Sequence, residues 1–384
     1  MVKTMNKAIR VSISALLSLV FICFSAFSTA SLSSGKYEET AAYLQTLTPQ
    51  VGSIGGEWLV IGLARAELLS EQDKQKYYET VERYVESVGS NKLHKRKSSD
   101  NSRVIIALAS IGKNAKNVAG YDLTAPLSDM SYVTKQGING AIWALIALDT
   151  YRYPIVPDES ISDITTREKL IDEILSAQLP DGGWTLDGDV SDPDMTGMAL
   201  QALSPYRFYD SDVTAAVNNG VERLRYFLTA ENGNIVLSPE SCAQIIVALC
   251  SLGIDPCSDE RFVINNSTVL DRLEPFEVTS GFSHTLGGSY NQMATEQTFY
   301  ALTAYNRFFA GKTSLYDMQD IGSSALYDYD SDGLQNINDV TYLQKYLAEY
   351  DITLSVSQKM LADFNLNRLV DITDITMFQI YLAQ

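Results

Sequence analysis

Ile142-Trp143-Ala144-Leu145-Ile146-Ala147-Leu148 is an uninterrupted apolar run in which alanines separate larger apolar side chains. Five more stretches combine small residues with leucine in a similar way: residues 58–64, 104–109, 195–203, 243–249 and 295–302. The six copies recur at intervals of 40 to 55 residues, which suits a unit of two helices and two loops. The chain is therefore predicted to contain a helical repeat.

Amphipathic segments lie between the apolar ones, at residues 71–88, 166–178 and 213–228, and the first of this kind spans 36–46. A helix that is apolar on nearly all sides favours burial, whereas one with a single apolar stripe favours an outer position. We therefore expect an all-α fold in which six inner and six outer helices form a closed (α/α)6 toroid over residues 36–318.

A short motif supports this expectation. Gln178-Leu179-Pro180-Asp181-Gly182-Gly183-Trp184 resembles the glutamine-tryptophan repeat of the squalene cyclase and protein prenyltransferase superfamily, and residues 137–140, 192–196 and 291–297 extend the resemblance. These motifs resemble secreted bacterial members of that superfamily, and the resemblance implies the toroid fold without implying an activity. Cyclase chemistry is not expected, because the Asp-x-Asp-Asp acid of that family is absent.

Zinc is not expected either. Asp255-Pro256-Cys257 and His284 match the composition of a prenyltransferase zinc site, but Asp255 follows the C-terminal end of an inner helix and so lies at the wrong end of the toroid. Prenyltransferase chemistry is therefore not expected. Cys242, Cys250 and Cys257 are an odd number and do not indicate a disulfide framework, although a Cys250–Cys257 bridge stays open.

The C-terminal region contains a twelve-residue acidic loop. Side-chain oxygen donors occupy positions 1, 3, 5, 9 and 12, a glycine occupies position 6, and a backbone carbonyl is available at position 7, as in loops that surround Ca²⁺. The predicted ligands of this first site are Asp328, Asp330, Asp332, the Leu334 carbonyl, Asn336 and Asp339.

A second copy of the loop begins 35 residues later. Its predicted ligands are Asp363, Asn365, Asn367, the Leu369 carbonyl, Asp371 and Asp374. Here Asn367 replaces an acid, and Arg368 replaces the glycine that the sharp turn favours. We therefore expect two Ca²⁺ sites, of which the second is weaker.

Each loop leads into a similar helix, at residues 340–347 and 375–382, and no helix is predicted before the first loop because Ser323 and Ser324 lie there. A duplicated loop and helix closed by Asp looks like a type I dockerin of cellulosome-forming bacteria. The resemblance covers residues 327–384 and leaves 319–326 as a linker. It implies a cohesin module of a scaffold protein as partner, read by Ile337, Asn338, Gln344, Lys345, Ile372, Thr373, Gln379 and Ile380.

The N-terminal segment and the net charge restrict the expected location of the protein and the class of its partners. Residues 1–30 contain three basic side chains, an apolar run at 11–27 and a small-residue site at 28–30, which predicts a cleaved signal peptide rather than a membrane anchor. A formal net charge of −18 argues against nucleic-acid binding. We expect a secreted, scaffold-associated extracellular protein with no stable membrane insertion after cleavage.

Polar residues are predicted to converge where the inner helices begin. Counting back from the repeat leucines places Glu57, Asn139, Asp194, Glu240 and Glu296 at one end, and the predicted pocket adds Arg103, Trp143 and His284. Asp194, Glu240 and Glu296 are candidate catalytic acids, because glycoside cleavage uses paired carboxylates. The competing interpretations are N-capping of the helices and a non-catalytic pocket for a carbohydrate or another neutral ligand.

Two functions follow from these patterns. The first is a dockerin-bearing component of a cellulosome-like polysaccharide-degrading complex, with the toroid as a ligand- or substrate-handling module. The alternative is a polysaccharide-degrading enzyme, a glycoside hydrolase or lyase, with its active site at the carboxylate-lined mouth of the toroid.

Overall fold

The computed structural model describes residues 35–155, 158, 160–229, 237–321, 327, 329–330, 336–354, 358–359, 362–365 and 369–382. The predicted signal peptide lies outside these ranges. The described chain is mainly helical, as expected for an all-α protein. Its α-helices are α1 (Lys36–Leu44), α2 (Trp58–Arg65), α3 (Glu71–Val88), α4 (Ser98–Ser110), α5 (Met130–Val133), α6 (Ile138–Thr150), α7 (Arg167–Ser176), α8 (Pro193–Leu203), α9 (Ser211–Thr229), α10 (Pro239–Ser251), α11 (Gln292–Phe309), α12 (Ile337–Leu347) and α13 (Ile372–Leu382).

Six helices carry the six apolar stretches of the repeat, and most of their side chains are buried. They are α2, α4, α6, α8, α10 and α11. Each packs against the next one in this order, and α11 packs against α2, so that the contacts close on themselves. We call these six the inner helices. Their cyclic packing follows from their composition, since a helix without a polar face needs neighbours on several sides.

Helices α1, α3, α7 and α9 lie on the outside of the inner helices and are amphipathic. Ser70 caps α3 by accepting the Asp73 amide, and Thr166 caps α7 by accepting the Lys169 amide. These helices match the predicted outer segments to within a few residues.

Two of the six expected outer helices are replaced by shorter elements. Before α6 the chain forms 3₁₀ turns at Ala125–Ser128 and Thr134–Gln136 on either side of α5, and before α11 it forms a 3₁₀ helix at Asp271–Phe276. Pro275 lies inside the second of these stretches and lacks the amide that a longer α-helix requires. The expectation of six full outer helices is therefore corrected to four helices and two stretches of short turns.

A two-stranded antiparallel sheet follows the second of these stretches. Its strands are β1 (Glu277–Val278) and β2 (Gly281–Phe282), with Glu277 opposite Phe282. It packs beside α11 and leads into the loop that contains His284.

Residues 313–321, which we call the closing segment, cross the C-terminal ends of the inner helices. Arg65, in the last turn of α2, donates hydrogen bonds to Asp320 and to the carbonyls of Ser314 and Asp317. Arg307 of α11 also bonds Asp320. Residues 319–321 form a 3₁₀ turn within this network. The first three residues of the predicted linker thus belong to the packed helical unit, because two buried arginines need a carboxylate partner.

The motif at 178–184 links two outer helices. The Gln178 amide donates to the carbonyls of Gly182 and Ala216, and the Trp184 indole donates to the Ile174 carbonyl at 2.7 Å. Trp184 is fully buried. Since Ile174 belongs to α7 and Ala216 to α9, the motif links an outer pair of helices just before α8 begins.

The C-terminal unit has a small core of its own. Its two helices, α12 and α13, pack against each other, and the buried side chains include Tyr329, Leu343, Ile375 and Phe378. Tyr209, between α8 and α9, donates a hydrogen bond to the Asp363 carboxylate at 2.8 Å. This bond connects the C-terminal unit to the helical unit.

All three described cysteines are free. Cys242 and Cys250 are buried, as expected of small core residues, and the Cys250–Cys257 bridge that the sequence left open is not formed. Within the described ranges, no helix has both the length and the apolar character needed to cross a membrane.

Candidate functional sites

Polar side chains gather where the inner helices begin, and we call this end the mouth. One group contains Glu57, Arg103 and Glu296. Glu57 precedes α2, is buried, and accepts the Gly52 amide at 2.9 Å. Arg103 Nε lies 3.6 Å from Glu57 Oε2, so the two form an ion pair without a close hydrogen bond. Burial raises the pKa of Glu57.

Glu296 lies beside this pair and is held by backbone and amide donors. Both of its oxygens accept the Gly55 amide, and Oε1 also accepts the Gln292 amide. Gly55 has a φ of 70°, a left-handed conformation that suits glycine and presents its amide to the carboxylate. Burial, with a smaller contribution from the nearby Glu57 charge, raises the pKa of Glu296 to about 7.

This raised pKa predicts a pH dependence of stability. Because the folded protein holds the Glu296 proton more tightly than the unfolded chain, the contribution of Glu296 to the free energy of unfolding should fall as the pH rises from about 4.5 to about 7 and then level off. The contribution is at most roughly 3 kcal/mol. Urea unfolding across this range should show that Glu296→Gln lacks this part of the decline. The exposed Glu86→Gln is the matched control, and parallel profiles for Glu296→Gln and the unsubstituted protein would contradict the assignment.

A second group at the mouth contains Asp194, Glu240 and His284. Asp194 and Glu240 lie in the first turns of the neighbouring helices α8 and α10. His284 Nδ1 lies 2.9 Å from Glu240 Oε1. Burial raises the pKa of Asp194, the charges of Asp192 and Glu240 raise it further, and a hydrogen bond with Ser241 and the charge of His284 act in the opposite direction.

The N-capping interpretation can be compared with the hydrogen bonds. Side-chain caps on these helices come from Asp192, Ser238 and Asn291, each of which accepts a backbone amide three residues later. Neither Asp194 nor Glu240 occupies a cap position, and Glu296 lies further along α11. The three candidate acids are therefore not the N-caps of their helices.

Below the mouth, amide and aromatic side chains fill the space between the inner helices. Gln244, one turn after Glu240, donates to Tyr300 Oη at 2.7 Å and to Gln297 Oε1 at 3.2 Å. Trp143 lies one turn after Asn139 on α6, and its ring centroid is 5.0 Å from that of Trp58. The polar mouth thus has an aromatic floor.

The structure places six of the eight predicted pocket residues in two contact groups and the other two on α6. Glu57, Arg103 and Glu296 form one contact group, and Asp194, Glu240 and His284 form another. Asn139 is partly exposed in the first turn of α6, and Trp143 is buried beneath it. The sequence did not indicate Gly55, Ser241 or Gln292, which form hydrogen bonds with these carboxylates. The only hint in the sequence is that each lies within one helical turn of a predicted acid.

The C-terminal unit contains the second candidate site. Asp339 Oδ1 accepts the amides of Tyr329 and Asp330, and Oδ2 accepts the amide of Asn336 at 2.8 Å. The equivalent carboxylate closes the second loop, where Asp374 accepts the amides of Asn365 at 3.1 Å and Asp371 at 2.9 Å. The two loops therefore share one local design.

The predicted calcium ligands are described only in part. Asp328, Asp332, Leu334 and Asn367 lie outside the described residues, whereas the other eight lie within them. No cluster of three or more His, Cys, Asp or Glu side chains suited to a metal is found in the described part of the chain. The described side-chain donors are nevertheless carboxylate and amide oxygens alone, the chemistry that Ca²⁺ favours.

All eight side chains predicted to contact a cohesin are exposed. Ile337 and Ile372, at equivalent positions of the two copies, are 60% and 64% exposed. Exposing a large aliphatic side chain to water is unfavourable, so the exposure of both isoleucines at equivalent positions suits a protein interface.

Comparisons with protein-family models, with curated proteins and with solved structures found no match to this chain.

Proposed function

We propose that this chain is an exported component of a polysaccharide-degrading assembly, fastened to a cohesin-bearing scaffold by a calcium-dependent dockerin at its C-terminus. The helical unit is an (α/α)6 toroid in this proposal. The cyclic packing of the six inner helices supports the toroid. The N-terminal segment, with its basic residues and apolar run, supports export.

The observation that carries the docking proposal is the internal symmetry of the C-terminal unit. Asp339 and Asp374 bind backbone amides of their own loops in the same pattern. The following turns also correspond, because Thr341 and Thr376 each donate to the carbonyl four residues earlier, those of Ile337 and Ile372. Two equivalent loops and two packed helices create one surface with a repeated set of contacts.

Calcium would be held by the acidic loops. Asp330, Asn336 and Asp339 in the first loop, and Asp363 and Asp371 in the second, supply hard oxygen donors. The ion would neutralise carboxylates that otherwise repel one another within a short loop. Its binding would therefore stabilise the loops and the helices that begin from them.

The exposed isoleucines provide the test of docking. We expect Ile337→Asp combined with Ile372→Asp to abolish capture of the full-length protein by immobilised cohesin modules, because charged groups would be buried against an apolar partner surface. A panel of cohesins is measured by surface plasmon resonance with calcium and with excess chelator. Calcium-dependent capture of the unsubstituted protein is the expected result.

Glu86→Gln is the control, since this exposed carboxylate lies on α3 of the helical unit, away from the docking helices, and its replacement should leave capture within about threefold. Circular dichroism with and without calcium checks that the isoleucine variant still folds. Capture that is equally strong in chelator, or unchanged by the isoleucine substitutions, would refute the proposal.

A further inference from the structure

Three buried carboxylate oxygens at the mouth have no hydrogen-bond donor among the described residues; Glu57 Oε2 faces Arg103, and the other two have no such partner. These two are Glu240 Oε2 and Asp194 Oδ1. Glu240 is 5% exposed, and its other oxygen is engaged by His284. Because a buried charged acceptor without a donor loses its hydration without compensation, this pair of oxygens calls for a donor that enters from the mouth.

The missing partner need not be a cation. Asp194 and Glu240 both lie in the first turns of long helices, where the positive end of the helix dipole partly compensates a negative charge. Asp192 adds a further carboxylate nearby, and the half-exposed His284 ring adds a group that can donate or accept. The site lacks hydrogen-bond donors more than it lacks positive charge.

The shape of the surroundings restricts the ligand further. Trp58, Trp143 and Tyr300 form the aromatic floor of the mouth. The closing segment covers the opposite end and places the Tyr316 ring against Trp143, while Tyr316 O accepts the Thr150 hydroxyl at 2.8 Å. A ligand would therefore approach from the mouth and meet carboxylates on the wall above aromatic rings.

We propose that the mouth beside Asp194, Glu240 and His284 binds a neutral carbohydrate, whose hydroxyl groups donate hydrogen bonds to the two free carboxylate oxygens. A sugar offers several hydrogen-bond donors without carrying a charge. This site is separate from the docking surface and does not depend on it.

The test uses the full chain and defined oligosaccharides. Isothermal titration with cellohexaose, xylohexaose and mannohexaose is expected to detect binding of at least one of them. Glu240→Gln and Asp194→Asn should each weaken that binding at least about tenfold, because each replaces a carboxylate with a group that donates on one side. Glu86→Gln, an exposed change on α3, should leave the affinity unchanged.

His284→Ala gives a second variant on an exposed loop, in case a buried substitution disturbs folding, and it should weaken binding by severalfold. Thermal melts establish that each variant is folded. Release of reducing ends that is lost in Glu240→Gln would also support the site, because cleavage requires the sugar to bind there. Spermidine is titrated in parallel as a cationic probe. The proposal would be overturned if none of the three sugars bound, if folded Glu240→Gln bound them with equal affinity, or if spermidine bound in their place.

Discussion

Replacing Arg65 with alanine is expected to lower the free energy of unfolding by about 2–4 kcal/mol, since it removes a buried side chain and its hydrogen bonds, while Asp320 keeps Arg307 as a partner. Arg65 is 2% exposed and donates to Asp320, to the Thr313 hydroxyl and to the carbonyls of Ser314 and Asp317. Relief of repulsion with Arg307 should place the loss toward the lower end of this range. Urea unfolding followed by circular dichroism measures it.

Two further substitutions make this test specific. Arg65→Lys keeps the charge but not the planar set of donors, so an intermediate loss is expected. Lys312→Ala removes a pair with Glu67 that lies on the surface next to the closing segment, and it should change stability by less than about 1 kcal/mol. If Arg65→Ala were as mild as Lys312→Ala, the closing segment would not stabilise the ring of helices.

Replacing Trp184 with alanine should also cost about 3–5 kcal/mol, because it leaves a large cavity in a packed core. The ring lies against Gly220 of α9, where an added Cβ would approach it to 2.8 Å, and its indole nitrogen bonds the Ile174 carbonyl. Thermal and urea unfolding of the purified variant measure the loss.

Trp184→Phe separates packing from hydrogen bonding. It retains most of the apolar contact but leaves the Ile174 carbonyl without its donor, which predicts a loss of about 1–3 kcal/mol. Stability is therefore expected to increase from Trp184→Ala to Trp184→Phe and from Trp184→Phe to the unsubstituted protein. A phenylalanine variant as unstable as the alanine variant would show that the hydrogen bond, and not the ring volume, dominates.

The inner helices could be predicted because their sequence has one physical requirement. A stretch such as 142–148 is apolar on every side, and only burial between neighbouring helices satisfies it. The outer helix Glu71–Val88 could be predicted for the complementary reason, since its three buried residues, Tyr77, Val81 and Val85, recur at helical spacing.

Other parts of the fold depend on contacts that periodicity does not encode. Asp320 occurs in a stretch with the composition of a linker. Its role depends on Arg307, which lies 13 residues earlier, and on Arg65, which lies 255 residues earlier. The 3₁₀ helix that contains Pro275 replaces a longer helix that the repeat alone suggested. In both cases distant partners or proline decided a structure that the hydrophobic pattern left open.

The mouth also combines features that the sequence predicted with contacts that it did not. Counting back from repeat leucines placed Asp194 and Glu240 in equivalent first turns, because helices of one repeat begin at equivalent positions. Counting could not show which carboxylates share a partner, and Glu296 proved to bond Gly55 across 241 residues of sequence. Side-chain partners depend on how the ends of a closed ring meet.

If the protein is docked as proposed, the position of the C-terminal unit would decide which way the helical unit faces. Asp320 is held at the C-terminal ends of α2 and α11, and Tyr209, which follows the end of α8, contacts Asp363 of the C-terminal unit. The described contact between the two units therefore lies on the side of the helical unit opposite the acidic opening. A molecule tethered by its C-terminal unit would turn its opening outward, toward solvent and any insoluble polymer, and away from the surface to which it is attached.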